Sequence, residues 1–79
     1  MKQNLYRVEF ILNTSNISEE SLRNSLKDLG EDLCIDKQLD NANNVGGFKI
    51  QIRTEQPHVV FDTCSLFGRL GYIKVNEVK

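Results

Sequence analysis

Few residues of this 79-residue chain are of types that do chemistry. His58 is the single histidine, and it follows the single proline, Pro57. Proline suits the first position of a helix, where no N–H is missed. A histidine in that first turn stands at the positive end of the helix, where its cation is disfavoured. No carboxylate pair or nucleophile accompanies it locally, so it reads as an exposed first-turn residue. Cys34 and Cys64 are the only thiols, in separate elements and without a Cys-x-x-Cys spacing. They read as reduced, buried and inert, because free cysteine packs like a small hydrophobe. Gly46-Gly47 is not followed by the Lys-Ser/Thr of a phosphate loop. No catalytic residues are assigned. What remains is Arg7, Gln51 and Arg53. Two guanidiniums near one another can hold an anion or a partner's carboxylate. Glu9 and Asp36 are the acidic residues that can neutralise them instead.

These residues come together only if the elements that carry them pair. Residues 5–13 alternate, with Tyr6, Val8, Phe10 and Leu12 on one parity and Arg7, Glu9 and Ile11 on the other. Such alternation predicts a strand with one buried face. Asn13–Asn16 is a polar break. Ser18 can cap a helix over 18–29, with Glu19 and Glu20 in its first turn and Ile17 as a staple against Leu22. Leu22, Leu26 and Leu29 share one helix face, Arg23, Asn24 and Lys27 the solvated one. Gly30 suits a left-handed residue that ends the helix. A strand over 32–38 follows, with Leu33 and Ile35 inward. The turn-rich run from Asp40 to Gly47 leads to a strand over 48–54, with Phe48, Ile50 and Ile52 inward and Lys49, Gln51 and Arg53 outward. A helix over 57–67 carries Val60, Cys64 and Phe67 in one stripe, widened by Val59, Phe61 and Leu66, and Gly68 ends it. The last strand spans 72–78.

The order β-α-β-β-α-β predicts an α+β, ferredoxin-like sandwich: a four-stranded antiparallel sheet with two helices on one face. Right-handed crossovers put the first and third strands in the centre, so Arg7, Gln51 and Arg53 become neighbours on the bare face. RNA-recognition modules share this order but stack bases on sheet aromatics, and the outward positions 49, 51 and 53 hold none. Acylphosphatases share it too, but their Gly- and Arg-bearing first loop is absent from residues 13–16.

Length and charge agree with a modest role. The chain makes one small domain, residues 1–79. Its 10 Lys and Arg against 11 Asp and Glu leave a net charge of −1, without the concentrated basic excess of a nucleic-acid binder. No stretch nears the ~20 apolar residues of a membrane span, and the start has no apolar signal region. A cytoplasmic protein is expected, with neither nucleic acid nor membrane as partner.

The ordered motifs resemble a known family, the middle domain of the large subunit of bacterial fatty acid kinase, a relative of dihydroxyacetone kinases. Tyr6-Arg7-Val8-Glu9-Phe10 is similar to that family's Tyr-Cys-x-Glu-Phe. Ser18-Glu19-Glu20 to Leu29-Gly30 matches its acidic helix start and Leu-Gly ending. Lys49 to Pro57 is similar to its Lys-Val-His-Val-His-Thr-Asp-x-Pro. Phe67-Gly68-Arg69-Leu70 and Ile73 to Glu77 resemble its close. The resemblance runs from about residue 5 to 78.

The resemblance implies a domain that is not itself an enzyme but supports acyl phosphate formation for phospholipid synthesis. A neighbouring domain would bind ATP and magnesium, and a fatty-acid-binding protein would present the acyl carboxylate. The middle domain would serve assembly, as a homodimer or by docking the kinase domains and the acyl carrier. A free-standing regulatory module that binds an anion on the open face is the alternative. The family's cysteine and two histidines form a metal site of the zinc kind, with one position open. Here Arg7, Gln51 and Arg53 stand at those positions, and arginine stays protonated and is no ligand. The metal is therefore not carried over and no cofactor is expected; the two guanidiniums would keep a positive spot where relatives hold a cation.

Overall fold

The computed structural model describes residues 4–14, 17–39 and 45–78. Its elements are β1 (Leu5–Asn13), α1 (Glu19–Leu26), β2 (Glu31–Leu39), β3 (Val45–Thr54), α2 (Pro57–Ser65) and β4 (Arg69–Val78). The strands form one antiparallel sheet in the order β2-β3-β1-β4, with β1 and β3 central. This is the expected ferredoxin-like α+β arrangement. Most of the turn-rich run expected from Asp40 lies outside the described residues, as do Ser15 and Asn16 of the first polar break.

The period-2 pattern explains the core. Val8, Phe10 and Leu12 of β1, Phe48, Ile50 and Ile52 of β3 and Ile35 of β2 are buried on one sheet face. Leu22 and Leu26 of α1 and Val60 and Cys64 of α2 close over them in the same cluster, with Ile17, Leu29, Leu33 and Phe67 packed at its margin. Phe61 meets Phe10 edge to face, ring centroids 5.7 Å apart. Each fully buried large side chain contributes roughly 1.5–3 kcal/mol. Beneath the helix ends, Thr54 is buried. Its Oγ1 donates to the Leu29 carbonyl (2.8 Å) and accepts from the Gln56 N–H (3.1 Å). One hydroxyl thus ties the end of β3 to the exit of α1 and the entry of α2.

The helices are shorter than their apolar periodicity suggests. Ser18 caps α1 as expected, its Oγ accepting from the Ser21 N–H at 3.1 Å. The helix stops at Leu26 rather than 29, and the Leu29 N–H closes a tight turn onto the Leu26 carbonyl. Gly30 does not take the left-handed conformation; no glycine among the described residues has a positive φ. Its role is close approach, because an added Cβ would overlap the Arg53 carbonyl oxygen of β3. Gly68, after α2, meets the Asn13 carbonyl of β1 in the same way. Helix α2 ends at Ser65, and Leu66 is 82% exposed instead of widening the stripe. Six positions after Val60, it points well away from that stripe at 3.6 residues per turn.

The strands, by contrast, are longer than their alternation suggests. Left-handed conformations fall on Asp32 (φ 55°) and Tyr72 (φ 52°). Each sits at a register break. Glu31 and Cys34 span three residues where Arg53 to Gln51 spans two. Gly71 to Lys74 likewise spans three opposite Glu9 to Ile11. An extra residue of this kind is a β-bulge, which bends and twists its strand. It also throws the alternation out of step: Leu70 and Val75 pair with the inward Leu12 and Val8 but are five residues apart. This is why β4 begins at Arg69 rather than 72 and β2 at Glu31 rather than 32. Similarly β3 begins at Val45, not 48; Gly47 is a strand residue opposite Gln38, not part of a reversal.

Candidate functional site

The bare face of the sheet can be read row by row from the pairing. Arg7 of β1 lies directly opposite Arg53 of β3 on one side and Asn76 of β4 on the other. In the next row Glu9 stands between Gln51 and Lys74, and Gln51 opposite Cys34 of β2. In the third, Lys49 stands between Asp36 and Ile11. Opposite charges therefore face each other in the second and third rows. The first row runs Glu31, Arg53, Arg7, Asn76: Arg53 faces Glu31 of β2 on one side and the Arg7 guanidinium on the other, and like charges directly opposite are destabilising.

A depression of about 320 Å³ opens here, lined by Arg7, Asp32, Cys34, Gln51, Ile52 and Arg53. All three residues expected from the sequence thus line one cavity. Arg53 is partly covered, and its Nη1 donates to Asp32 Oδ2 at 2.8 Å. Its Nε is hidden from water with no acceptor among the described residues. Arg7 is exposed and makes no ion pair among the described residues.

Two expectations need correction. The acid that neutralises an arginine is Asp32, not Glu9 or Asp36; Glu9 is held by Lys49 at 3.6 Å. Parity carried a signal for Asp32, since Leu33 and Ile35 point inward and residue 32 belongs with Cys34 on the other face. The left-handed backbone of the bulge then sets its place. Cys34, expected to be buried, is exposed on this face. Cys64 is buried under α2 as expected, and burial pushes its thiol up to about 12. His58 is exposed, in keeping with its first-turn position.

The zinc that the resemblance implies does not fit these side chains. Arginine offers five N–H donors and no acceptor, and Arg53 already spends one of them on a carboxylate. Gln51 and the Cys34 thiol beside it do not make a ligand set. Among the described residues no group of three or more His, Cys, Asp or Glu side chains is placed to hold a metal ion. The arrangement brings side-chain N–H donors together from two strands. Among the described residues no helix is long and apolar enough to cross a membrane.

Comparison with curated proteins and with solved structures gave no significant match. A family model does match, that of the FakA-like middle domain of fatty acid kinases, and it covers residues 3–79. With nearly the whole length matched, this chain belongs to the FakA-like family of fatty acid kinase middle domains.

Proposed function

We propose that this chain is a non-catalytic assembly module of a fatty-acid-kinase-type protein. It pairs with a second copy, or holds the ATP-binding domain and the acyl-carrying partner in reach of one another. The observation that carries this reading is the match to a middle domain over residues 3–79. The exposed surface suits it: among the described residues one sheet face has no helices over it, and β2 and β4 are edge strands. An unpaired edge is a template for adding a strand from another chain. Exposed Ile73 and Val75 lie on β4 itself. The single domain of residues 1–79 and its cytoplasmic setting belong to the same reading; an exposed, unpaired Cys34 suits a reducing compartment.

The test combines turnover and assembly. The chain is incubated with ATP, magnesium, a fatty acid and a fatty-acid-binding protein, and no acyl phosphate is expected. Light scattering is expected to give a dimer, or mixing with an ATP-binding domain or the carrier to give a complex. Turnover by these residues alone would defeat the reading. So would a monomer that binds neither.

A further inference from the structure

We propose that the cavity between Arg7 and Arg53 is an oxyanion site, taking one carboxylate or phosphate group where the family resemblance implies a metal ion. It does not depend on the assembly role. The first observation is the register. Arg7 and Arg53 are direct cross-strand partners, an arrangement that costs stability unless a negative charge lies between them. Every other charged pair directly opposite on this face, that of Glu31 with Arg53 included, is of opposite sign or has one neutral member, so Arg7 is the cation whose cross-strand neighbours offer no carboxylate.

The second observation is the state of Arg53. Asp32 takes Nη1. That leaves the other edge of the guanidinium, made by Nε and Nη2, and Nε has no acceptor among the described residues. This edge is the planar fork that donates to two oxygens of a carboxylate or phosphate at once. Leaving a donor hidden and unsatisfied is costly, so an acceptor there is favoured. Arg7 reaches the same cavity from β1, and Gln51, one row along, supplies an amide N–H. The volume of about 320 Å³ is at the lower end of ligand sites and suits a small group.

Asp32 has a specific part. Among the described residues it is the one carboxylate lining the cavity, and it is largely exposed. It acts as an internal stand-in that partly neutralises Arg53 and competes with the incoming anion. Its φ of 55° is one that asparagine adopts readily, so D32N removes the charge and keeps the bulge.

The test uses the isotope-labelled full chain at constant ionic strength, with chloride replaced stepwise by sodium phosphate or, separately, sodium acetate. Saturable NMR shifts are expected at Arg7, Gln51 and Arg53. R7Q is expected to weaken binding by roughly tenfold, the loss of one charge-assisted contact. D32N is expected to tighten it by several-fold. Saturation by phosphate alone, by acetate alone or by both supports the site and names the chemistry it prefers. Linear shifts spread over all basic residues, binding unchanged in R7Q, or weaker binding in D32N would overturn the site. So would one equivalent of zinc retained by the purified chain.

Discussion

Val8, Phe10 and Leu12 alternate along β1 with Arg7, Glu9 and Ile11, and the two sets meet opposite surroundings. On the covered face, Val8, Phe10 and Leu12 are closed off by α1 and α2. On the bare face the same strand carries charges whose cross-strand partners balance them in one row and repel in another. Packing is therefore concentrated on one side of the sheet and charge on the other. The bare side is free to exchange residue types that the packed side cannot.

The largest effect that tests this division is Phe10→Ala. Phe10 is fully buried and packed on Phe61. Its removal is expected to cost about 3–5 kcal/mol in urea unfolding, transfer and cavity terms together. Gln51→Ala, on the other face of the neighbouring strand, is expected to stay within about 0.5 kcal/mol. Similar costs at the two positions would erase the contrast.

The two thiols sharpen it at a smaller scale. Burial holds the Cys64 thiol near 12, against 9.0 for a free thiol. Above pH 9 the unfolded thiol ionises while the folded one keeps its proton. The unfolded state then binds fewer protons, so stability falls as pH rises. The contribution is whole below about pH 9 and is lost between 9 and 12, at up to about 1.4 kcal/mol per pH unit. Cys64→Ala is expected to lack this slope in alkaline unfolding curves. In the native chain at neutral pH an alkylating reagent is expected to modify exposed Cys34 first, with Cys64 reacting only on opening. Equal labelling rates would contradict the burial.

The packed face was the more legible in the sequence, because burial imposes a period. Val8 to Leu12, Phe48 to Ile52 and the Leu22–Leu26 pair follow from spacing alone. The bulges at Asp32 and Tyr72 were not legible. Local alternation cannot register one extra residue, and left-handed backbone falls here on an aspartate and a tyrosine instead of on Gly30 or Gly68. Those glycines are required by carbonyl groups of strands far away in the chain. For the site, topology sufficed to bring Arg7, Gln51 and Arg53 together. It did not show that Asp32 holds Arg53, since the bulge decides where that carboxylate lies. Parity with Leu33 and Ile35 did mark Cys34 as outward, but the preference of free cysteine for burial argued against it.

The smallest effect separates structure from recognition most cleanly. In chloride at low ionic strength, Arg7→Gln removes one of two facing positive charges and is expected to stabilise the chain by about 0.2–1 kcal/mol. Salt screens exposed charges, so the gain should shrink at high ionic strength. If an oxyanion binds between the guanidiniums, phosphate stabilises the original chain by mass action and the variant much less. The order of melting temperatures then inverts: the variant melts higher in chloride, and the original chain higher in saturating phosphate at the same ionic strength. Simple repulsion between Arg7 and Arg53 would reduce the gap in any salt but would not reverse it. An inversion therefore requires a bound anion, and a gap that closes equally in chloride and phosphate would leave the first row as simple repulsion tempered by Asp32 and Glu31.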